Sequence, residues 1–217
     1  MKKKEAKHYF QLNLDLTRRP CLLIGGDEEA LDKLTRLLEC HAKVTLVSPD
    51  ILPGIRRLIQ THKIRYLARP YKAGDEKGRY FVLNCVKTDP ALSKTVYGGC
   101  VKRKILISSY DQPKFSMATM ASLVRAGKIR ISLSSDGSIP AVARALRIEF
   151  EKIFDQRFVK FVDWVADYRA RMVEDGVSPA ERRRRLRILM KSFRLTGTCK
   201  YPPRFEGGLS PESPAGR

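Results

Sequence analysis

The sequence is short of the features that would make it a secreted, membrane-spanning or metal-centred protein. Its five cysteines, Cys21, Cys40, Cys85, Cys100 and Cys199, are scattered, odd in number and never spaced Cys-x-x-Cys. That pattern argues against both a disulfide framework and a zinc site, and leaves reduced, mostly buried thiols. No stretch is long and apolar enough to span a bilayer. The charged start, Met1-Lys-Lys-Lys-Glu5, is followed over residues 6–16 by no continuous apolar segment of the signal-peptide kind. A cytoplasmic protein is expected. Acids are scarce as well: 23 Asp and Glu face 43 Lys and Arg, for a formal charge of +20. Such an excess implies an anionic partner, whether nucleic acid, an acidic membrane surface or a polyanionic small molecule. No recognised nucleic-acid motif accompanies it, and there is no internal repeat.

What is present is enough to fold. With 217 residues, 43% of them hydrophobic, the chain can bury one good core and a smaller second one. Cys21 to Ile24 is an apolar run without a 3.6-residue stripe, as in a strand buried on both faces of a parallel sheet. Gly25 and Gly26 break it. Ala30, Leu31, Leu34, Leu37 and Leu38 then recur at helical spacing, and Val44 to Val47 reads as a second strand ending in Ser48-Pro49-Asp50. Strand, glycine turn, helix, strand and terminal acid is the layout of a dinucleotide-binding βαβ unit. The fingerprint Gly-x-Gly-x-x-Gly/Ala is incomplete, because Gly25-Gly26-Asp27-Glu28-Glu29-Ala30 puts Asp27 at the middle glycine. A carboxylate there adds bulk and negative charge where a pyrophosphate would lie. The same three acids are equally suited to the N-terminus of a helix, where the dipole favours them.

The rest alternates in the same way. Residues 8–16 read as an edge strand or lead-in. A short helix is expected over 51–61, a third strand over 64–68, a central strand over 80–86, a helix over 90–100 and a buried strand over 105–109; this is a doubly wound sheet. Residues 115–126 carry Met117, Met120, Ala121 and Val124 at helix-like spacing. Ile129 to Leu133 alternates as a strand with one wet face, and the turn at 134–140 leads into a helix with Pro140 in its first turn. That helix should bury Val142, Ala145, Leu146, Phe150 and Ile153. Residues 158–193 are helical and basic. Phe161, Trp164, Val165 and Tyr168 make an apolar face, Ser178-Pro-Ala-Glu181 is a capping box, and Arg182 to Arg185 form a solvated run. Residues 201–217, rich in proline and glycine, have little to bury.

Several motifs taken in order carry a resemblance: the strand and Gly25-Gly26 turn; Val44-Thr-Leu-Val-Ser-Pro-Asp50; Tyr110-Asp-Gln-Pro-Lys114; Ile131-Ser-Leu-Ser-Ser-Asp-Gly-Ser-Ile-Pro-Ala-Val-Ala-Arg144; and Tyr168-Arg-Ala-Arg171 with Glu181-Arg-Arg-Arg-Arg185. Over roughly residues 10–195 the chain resembles the precorrin-2 dehydrogenase/sirohydrochlorin ferrochelatase family, the sirohaem-making part of sirohaem synthases. The resemblance implies an α/β fold with a Rossmann-like parallel sheet over residues 1–112, a dimerisation region over 113–154, a small helical C-terminal domain over 155–198 and a flexible tail over 199–217. It implies a homodimer that oxidises precorrin-2 to sirohydrochlorin with NAD⁺, some members also inserting Fe²⁺. A substrate bearing many carboxylates would account for the basic balance without nucleic acid or membrane.

Residue by residue, the family's proton-transferring aspartate, which is also its candidate for holding iron, matches Asp111. The NAD positions match Gly25, Gly26, Glu28, Glu29, Pro49 and Asp50, with Thr88 and Asp89 a looser match. Ser135 matches a serine that affects tetrapyrrole binding and is phosphorylated in some members. The chain departs from the family at Asp27 and Glu29, at Lys87 in Asn84-Cys-Val-Lys-Thr-Asp89, and at Met117-Ala-Thr-Met120. Lys87 can offset the charge of Asp27. Two other functions stay open at the level of sequence. One is a tetrapyrrole-binding chelatase or carrier that has lost NAD, and the other is a basic nucleic-acid-binding module on the same scaffold.

Overall fold

The computed structural model describes residues 8–196, so the expected tail and Cys199 lie outside the described residues. Five strands, β1 (Pro20–Ile24), β2 (Lys43–Val47), β3 (Arg65–Leu67), β4 (Phe81–Asn84) and β5 (Leu106–Ser109), form one sheet in the order β3-β2-β1-β4-β5. All four pairings are parallel. Leu22 of β1 lies opposite Thr45 on one side and Val82 on the other. β1 is therefore the centre, and the strand order reverses between it and β4.

Side-chain alternation then builds two half-cores. Cys21 and Leu23 point to the face covered by α1 (Glu28–Glu39) and α2 (Pro53–Thr61), where they meet Leu34, Leu37 and Ile55. Leu22 and Ile24 point to the other face, against Val96 and Cys100 of α3 (Pro90–Lys102). Helix starts are set locally: Asp27 and Asp89 cap α1 and α3 with their side chains, and Pro53 and Pro90 take first-turn positions.

In this part of the chain one pair of alternatives is decided for the lead-in, and one expectation fails. Residues 8–16 form no strand. They lie along the sheet's first half-core as irregular chain, anchored by buried Leu16 and by Leu14; the alternation of that segment reflects anchoring on one side, not pairing. Residues 115–126 form no helix. A 3₁₀ turn at Pro113–Phe115 is followed by irregular chain and then β6 (Ser122–Ala126), which pairs antiparallel with β7 (Ile129–Leu133). Gly127, at φ +58°, closes the hairpin. Val124 and Ala126 are buried while Arg125 is exposed, so the period of two prevails over the looser helical spacing once the hairpin partner is present.

The described residues divide into two compact units, the first ending at Asp155 and the second beginning at Gln156. The first also holds α4 (Pro140–Ile153), which packs on the hairpin through Ala143. The expected inner face of α4 is corrected here: Val142, Leu146 and Ile153 are 51%, 41% and 43% exposed, and Ala143 is the buried residue of that helix. The small side chain lets α4 approach the hairpin, and the larger apolar stripe faces away.

The second unit pairs α5 (Gln156–Glu174) with α6 (Pro179–Met190). The Phe161 and Phe193 rings stack at 5.4 Å, and Trp164 and Tyr168 stack at 6.2 Å. Ser178 caps α6 by accepting from the Glu181 N–H, but the Glu181 carboxylate turns to Arg184 and Arg185 instead of completing the box. Hydrogen bonds from those two arginines pull its pKa down to about 2. Among the described residues no helix is long and apolar enough to cross a membrane.

Candidate functional site

The C-terminal ends of β1, β2 and β4 meet where the strand order reverses, the place at which open parallel sheets bind ligands. A cleft of about 500 Å³ opens there, within the range of small-molecule sites. Its floor is the glycine turn. Gly25 has φ +122°, and a Cβ on it would lie 3.1 Å from that of Cys85. A Cβ on Gly26 would lie 1.9 Å from the Asp50 carbonyl oxygen. Backbone bonds hold the turn to both neighbours: Gly25 N–H to Val47 O (3.0 Å), Cys85 N–H to Ile24 O (2.8 Å) and Leu52 N–H to Gly26 O (3.0 Å). Gly26 is thus required by the chain's own packing as well as by any ligand laid over it.

Asp27 does not stand across the cleft as a free acid. Its Oδ1 accepts from the Ala30 N–H at 3.0 Å, so the carboxylate is folded onto the helix N-terminus, where the dipole favours it. It lines the cleft and uses one of the amides that an anion could otherwise take. Of the expected cofactor positions, Gly25, Gly26, Pro49, Thr88 and Asp89 line the cleft. Glu28, Glu29 and Asp50 do not. Glu28 and Asp50 are exposed, and Asp50 contributes its carbonyl, which also accepts from Ser48 Oγ at 2.6 Å. Glu29 pairs with Lys33 at 3.1 Å. The loop bearing Thr88 and Asp89 is shaped by buried Asn84, which donates to Ser93 Oγ (2.9 Å) and accepts from the Val86 N–H (3.1 Å). Cys85 also borders the cleft, but burial pushes its thiol up to about 12, leaving it protonated and inert near neutral pH.

A second cavity, about 560 Å³, lies between α1, the hairpin and α4. Five cations line it, Lys33, Arg36, Arg125, Arg144 and Arg147, against the two carboxylates Asp32 and Glu151. Several are held by carboxylates: Arg36 by Asp32 (3.1 Å), Arg125 by Glu39 (2.9 Å) and Arg147 by Glu151 (2.7 Å). Arg144 enters no ion pair among the described residues. Ser135 lines this cavity, half-buried, with its Oγ accepting from the Ile139 N–H at 3.2 Å. Its neighbour Asp136, at φ +50°, takes His8 at 3.2 Å. Sequence reasoning missed this basic cavity. Lys33 with Arg36 and Arg144 with Arg147 are i, i+3 pairs on two helices 111 residues apart, and only the fold turns them toward one another.

Tyr110 lines neither cavity, but a lysine from each approaches its ring. Lys33 of the basic cavity and Lys87 of the cleft lie 5.9 and 5.4 Å from its ring centroid. A hydrogen bond to Glu29, with burial adding, raises the pKa of its hydroxyl. Lys87 therefore serves the Tyr110 ring. Asp111 follows at φ +54°, exposed, in a turn closed by Gln112 N–H to Ser109 O at 3.2 Å. Aspartate tolerates that left-handed position better than most residues. Asp111 lines neither cavity, although its charge contributes to the environment of Tyr110. Among the described residues no group of three or more His, Cys, Asp or Glu side chains is placed to hold a metal ion.

Comparison with known proteins bears on this geometry. Residues 12–122 match a family described as "Putative NAD(P)-binding". Siroheme synthase of Thioalkalivibrio sulfidiphilus is 30% identical over 82% of this chain and 36% of its own length. Siroheme synthase 3 of Aeromonas hydrophila is 29% identical over 86% of this chain and 40% of its own. The chain thus spans little more than a third of the curated relatives it matches. A solved structure titled SirC, precorrin-2 dehydrogenase, superposes with a TM-score of 0.76 at 17% identity, covering 85% of this chain and 90% of that one. At that identity the likeness bears on the fold, which it shares.

Proposed function

Because the chain belongs to the NAD(P)-binding family matched by residues 12–122, we propose that it is a precorrin-2 dehydrogenase acting in sirohaem synthesis. The observation that carries this reading is the presence of two unlike cavities whose lysines, Lys33 of one and Lys87 of the other, both approach the Tyr110 ring. One is a glycine-floored cleft suited to a dinucleotide, and the other is a cation-lined cavity suited to a small molecule bearing many carboxylates. Relatives named siroheme synthase and a neighbour titled precorrin-2 dehydrogenase support the substrate.

In this reading NAD⁺, when bound in the cleft, would supply the hydride acceptor for precorrin-2, and a protein base would take the accompanying proton. The chain's residues fit the cofactor. Gly25 and Gly26 bring backbone to the floor of the cleft, Pro49 with Thr88 and Asp89 flank it, and Asp27 is withdrawn onto the helix. Arg144 and Arg147, with Lys33, Arg36 and Arg125, would hold substrate carboxylates by charge-assisted hydrogen bonds, and Ser135 would add a hydroxyl. Asp111, next to Tyr110 in the chain, is the proposed proton acceptor. Among the described residues no set of further ligands stands about Asp111, and the proposed activity is the dehydrogenation.

The exposed stripe of Val142, Leu146 and Ile153 on α4 is proposed to be covered by a second copy of the chain. On this view residues 113–154 join two protomers, between a sheet domain and the helices from 155 on, in a cytoplasmic dimer.

Purified protein given precorrin-2 and NAD⁺ should produce sirohydrochlorin absorbance and NADH together. Asp111→Ala should cut kcat by at least about 100-fold with cofactor binding unchanged. Porphyrinoid binding without any NAD⁺ binding would overturn the proposal in favour of a second reading, a tetrapyrrole carrier. The amide taken by Asp27 favours that reading.

A further inference from the structure

A buried carboxylate outside the reaction chemistry stands directly behind the wall of the cleft. Glu76, in the connection between β3 and β4, has a side chain 2% exposed. Burying a carboxylate is costly unless each oxygen is paired, and here each is. Oε2 accepts from the Tyr71 hydroxyl at 2.5 Å and from the Gly74 N–H at 2.8 Å, while Oε1 meets Arg103 at 2.9 Å. Room for it comes from α3, where a Cβ on Gly99 would lie 2.4 Å from Oε1. Glycine is a poor helix residue, and its place inside α3 is explained by this seat. Burial raises the pKa of the Tyr71 hydroxyl and Glu76 raises it further, so it stays a donor. Burial also works to raise Glu76, but the Tyr71 hydroxyl, backbone N–H groups and the Arg103 charge outweigh it and keep the carboxyl below its ordinary range.

The partner of this latch is informative. Tyr71 lines the cleft beside Pro49 and Pro70, on the side of β2 and β3. In dinucleotide folds the end of the second strand serves the adenosine ribose, so this wall belongs to the adenosine half. We propose that Tyr71 is the adenine-facing wall of the cofactor cleft and that Glu76, seated against Gly99, is the positioning residue that fixes its ring. The inference rests on the dinucleotide reading of the cleft. A ring whose hydroxyl is tied down loses little freedom when an adenine packs on it, and that preorganisation is where the affinity arises.

Calorimetric titration of the full chain with NAD⁺, AMP and nicotinamide mononucleotide separates the possibilities, with folding of each variant checked by thermal melting. Tyr71→Ala should weaken NAD⁺ and AMP about 10-fold or more and leave nicotinamide mononucleotide unchanged. Tyr71→Phe, which keeps the ring and frees it, should weaken both by about three- to tenfold. Glu76→Gln, which can still accept from the Tyr71 hydroxyl, should keep most of the wild-type affinity, whereas Glu76→Ala should lose about as much as Tyr71→Phe. In turnover, KM for NAD⁺ should rise with kcat unchanged. Folded Tyr71 variants that bind NAD⁺ and AMP like the wild type would overturn the inference and leave the dinucleotide site standing. Equal losses for both half-molecules would overturn it as well, by marking general damage. A wild-type chain that binds neither NAD⁺ nor AMP would overturn the site itself and this inference with it.

Discussion

In β1 the four residues Cys21 to Ile24 are at most 2% exposed, whereas in α4 Val142 is 51% exposed and Leu146 41%. Both segments carry clear apolar patterning. The sheet is covered within the chain, since α1 and α2 lie on one face and α3 on the other, and every apolar position of its central strand finds a neighbour. The hairpin and α4 use one small residue, Ala143, to pack together and turn their larger apolar side chains outward. Periodicity therefore reports which residues seek cover; it does not report whether the cover comes from the same chain.

The sharpest way to break this contrast is a pair of matched truncations. Leu22→Ala should cost about 3 kcal/mol in urea denaturation, from lost transfer energy plus a cavity in a site that cannot collapse. Leu146→Ala should cost about 1 kcal/mol or less at concentrations where the chain is monomeric. Equal costs would mean that α4 is buried in the monomer after all. At higher concentration Leu146→Asp should shift sedimentation toward the monomer if a second copy covers the stripe.

The next effect concerns the turn. Asp27→Ala removes the cap of α1 and should cost about 1 kcal/mol, while Asp27→Gly should cost only a few tenths. Asp27→Gly should also bind NAD⁺ more tightly by calorimetry, because it frees an amide and removes a negative charge from the cleft. A glycine variant that binds NAD⁺ more weakly would show that the capped turn is itself part of the cofactor site.

The smallest effect is on pH dependence. Glu76 is held below its ordinary value of 4.5 in the fold, so the unfolded chain takes up that proton first. Its stabilisation is fully present above about pH 4.5 and is lost as pH falls through the folded pKa. Glu76→Gln should therefore flatten the acid limb of a stability–pH curve without abolishing it. Asp75, held low by its hydrogen bonds from Arg69, keeps its own share.

The sheet could be read in advance because its signals are local and redundant. Four-residue apolar runs bounded by glycine, proline and acid turns leave few alternatives, and the observed strands fall within a residue or two of those runs. Residues 115–126 misled for a physical reason: Met117, Met120, Ala121 and Val124 satisfy a helical period by chance, and the period of two in Ser122 to Ala126 becomes decisive only when β7 lies beside it. The cleft was half legible. Gly25, Gly26, Pro49, Thr88 and Asp89 line it, but Glu28, Glu29 and Asp50 sit outside, since a motif specifies backbone path better than side-chain direction.

Sequence alone determined the five strands of the parallel sheet, the helix starts and the glycine turn, because sterics, helix-end hydrogen bonding and side-chain period act over a few residues. Only the tertiary structure decided that Lys33, Arg36, Arg125, Arg144 and Arg147 share one cavity, that Lys33 and Lys87 both approach the Tyr110 ring, and that Glu76 occupies the space Gly99 leaves. Those juxtapositions join positions tens of residues apart, and nothing shorter than the folded sheet brings them within bonding distance.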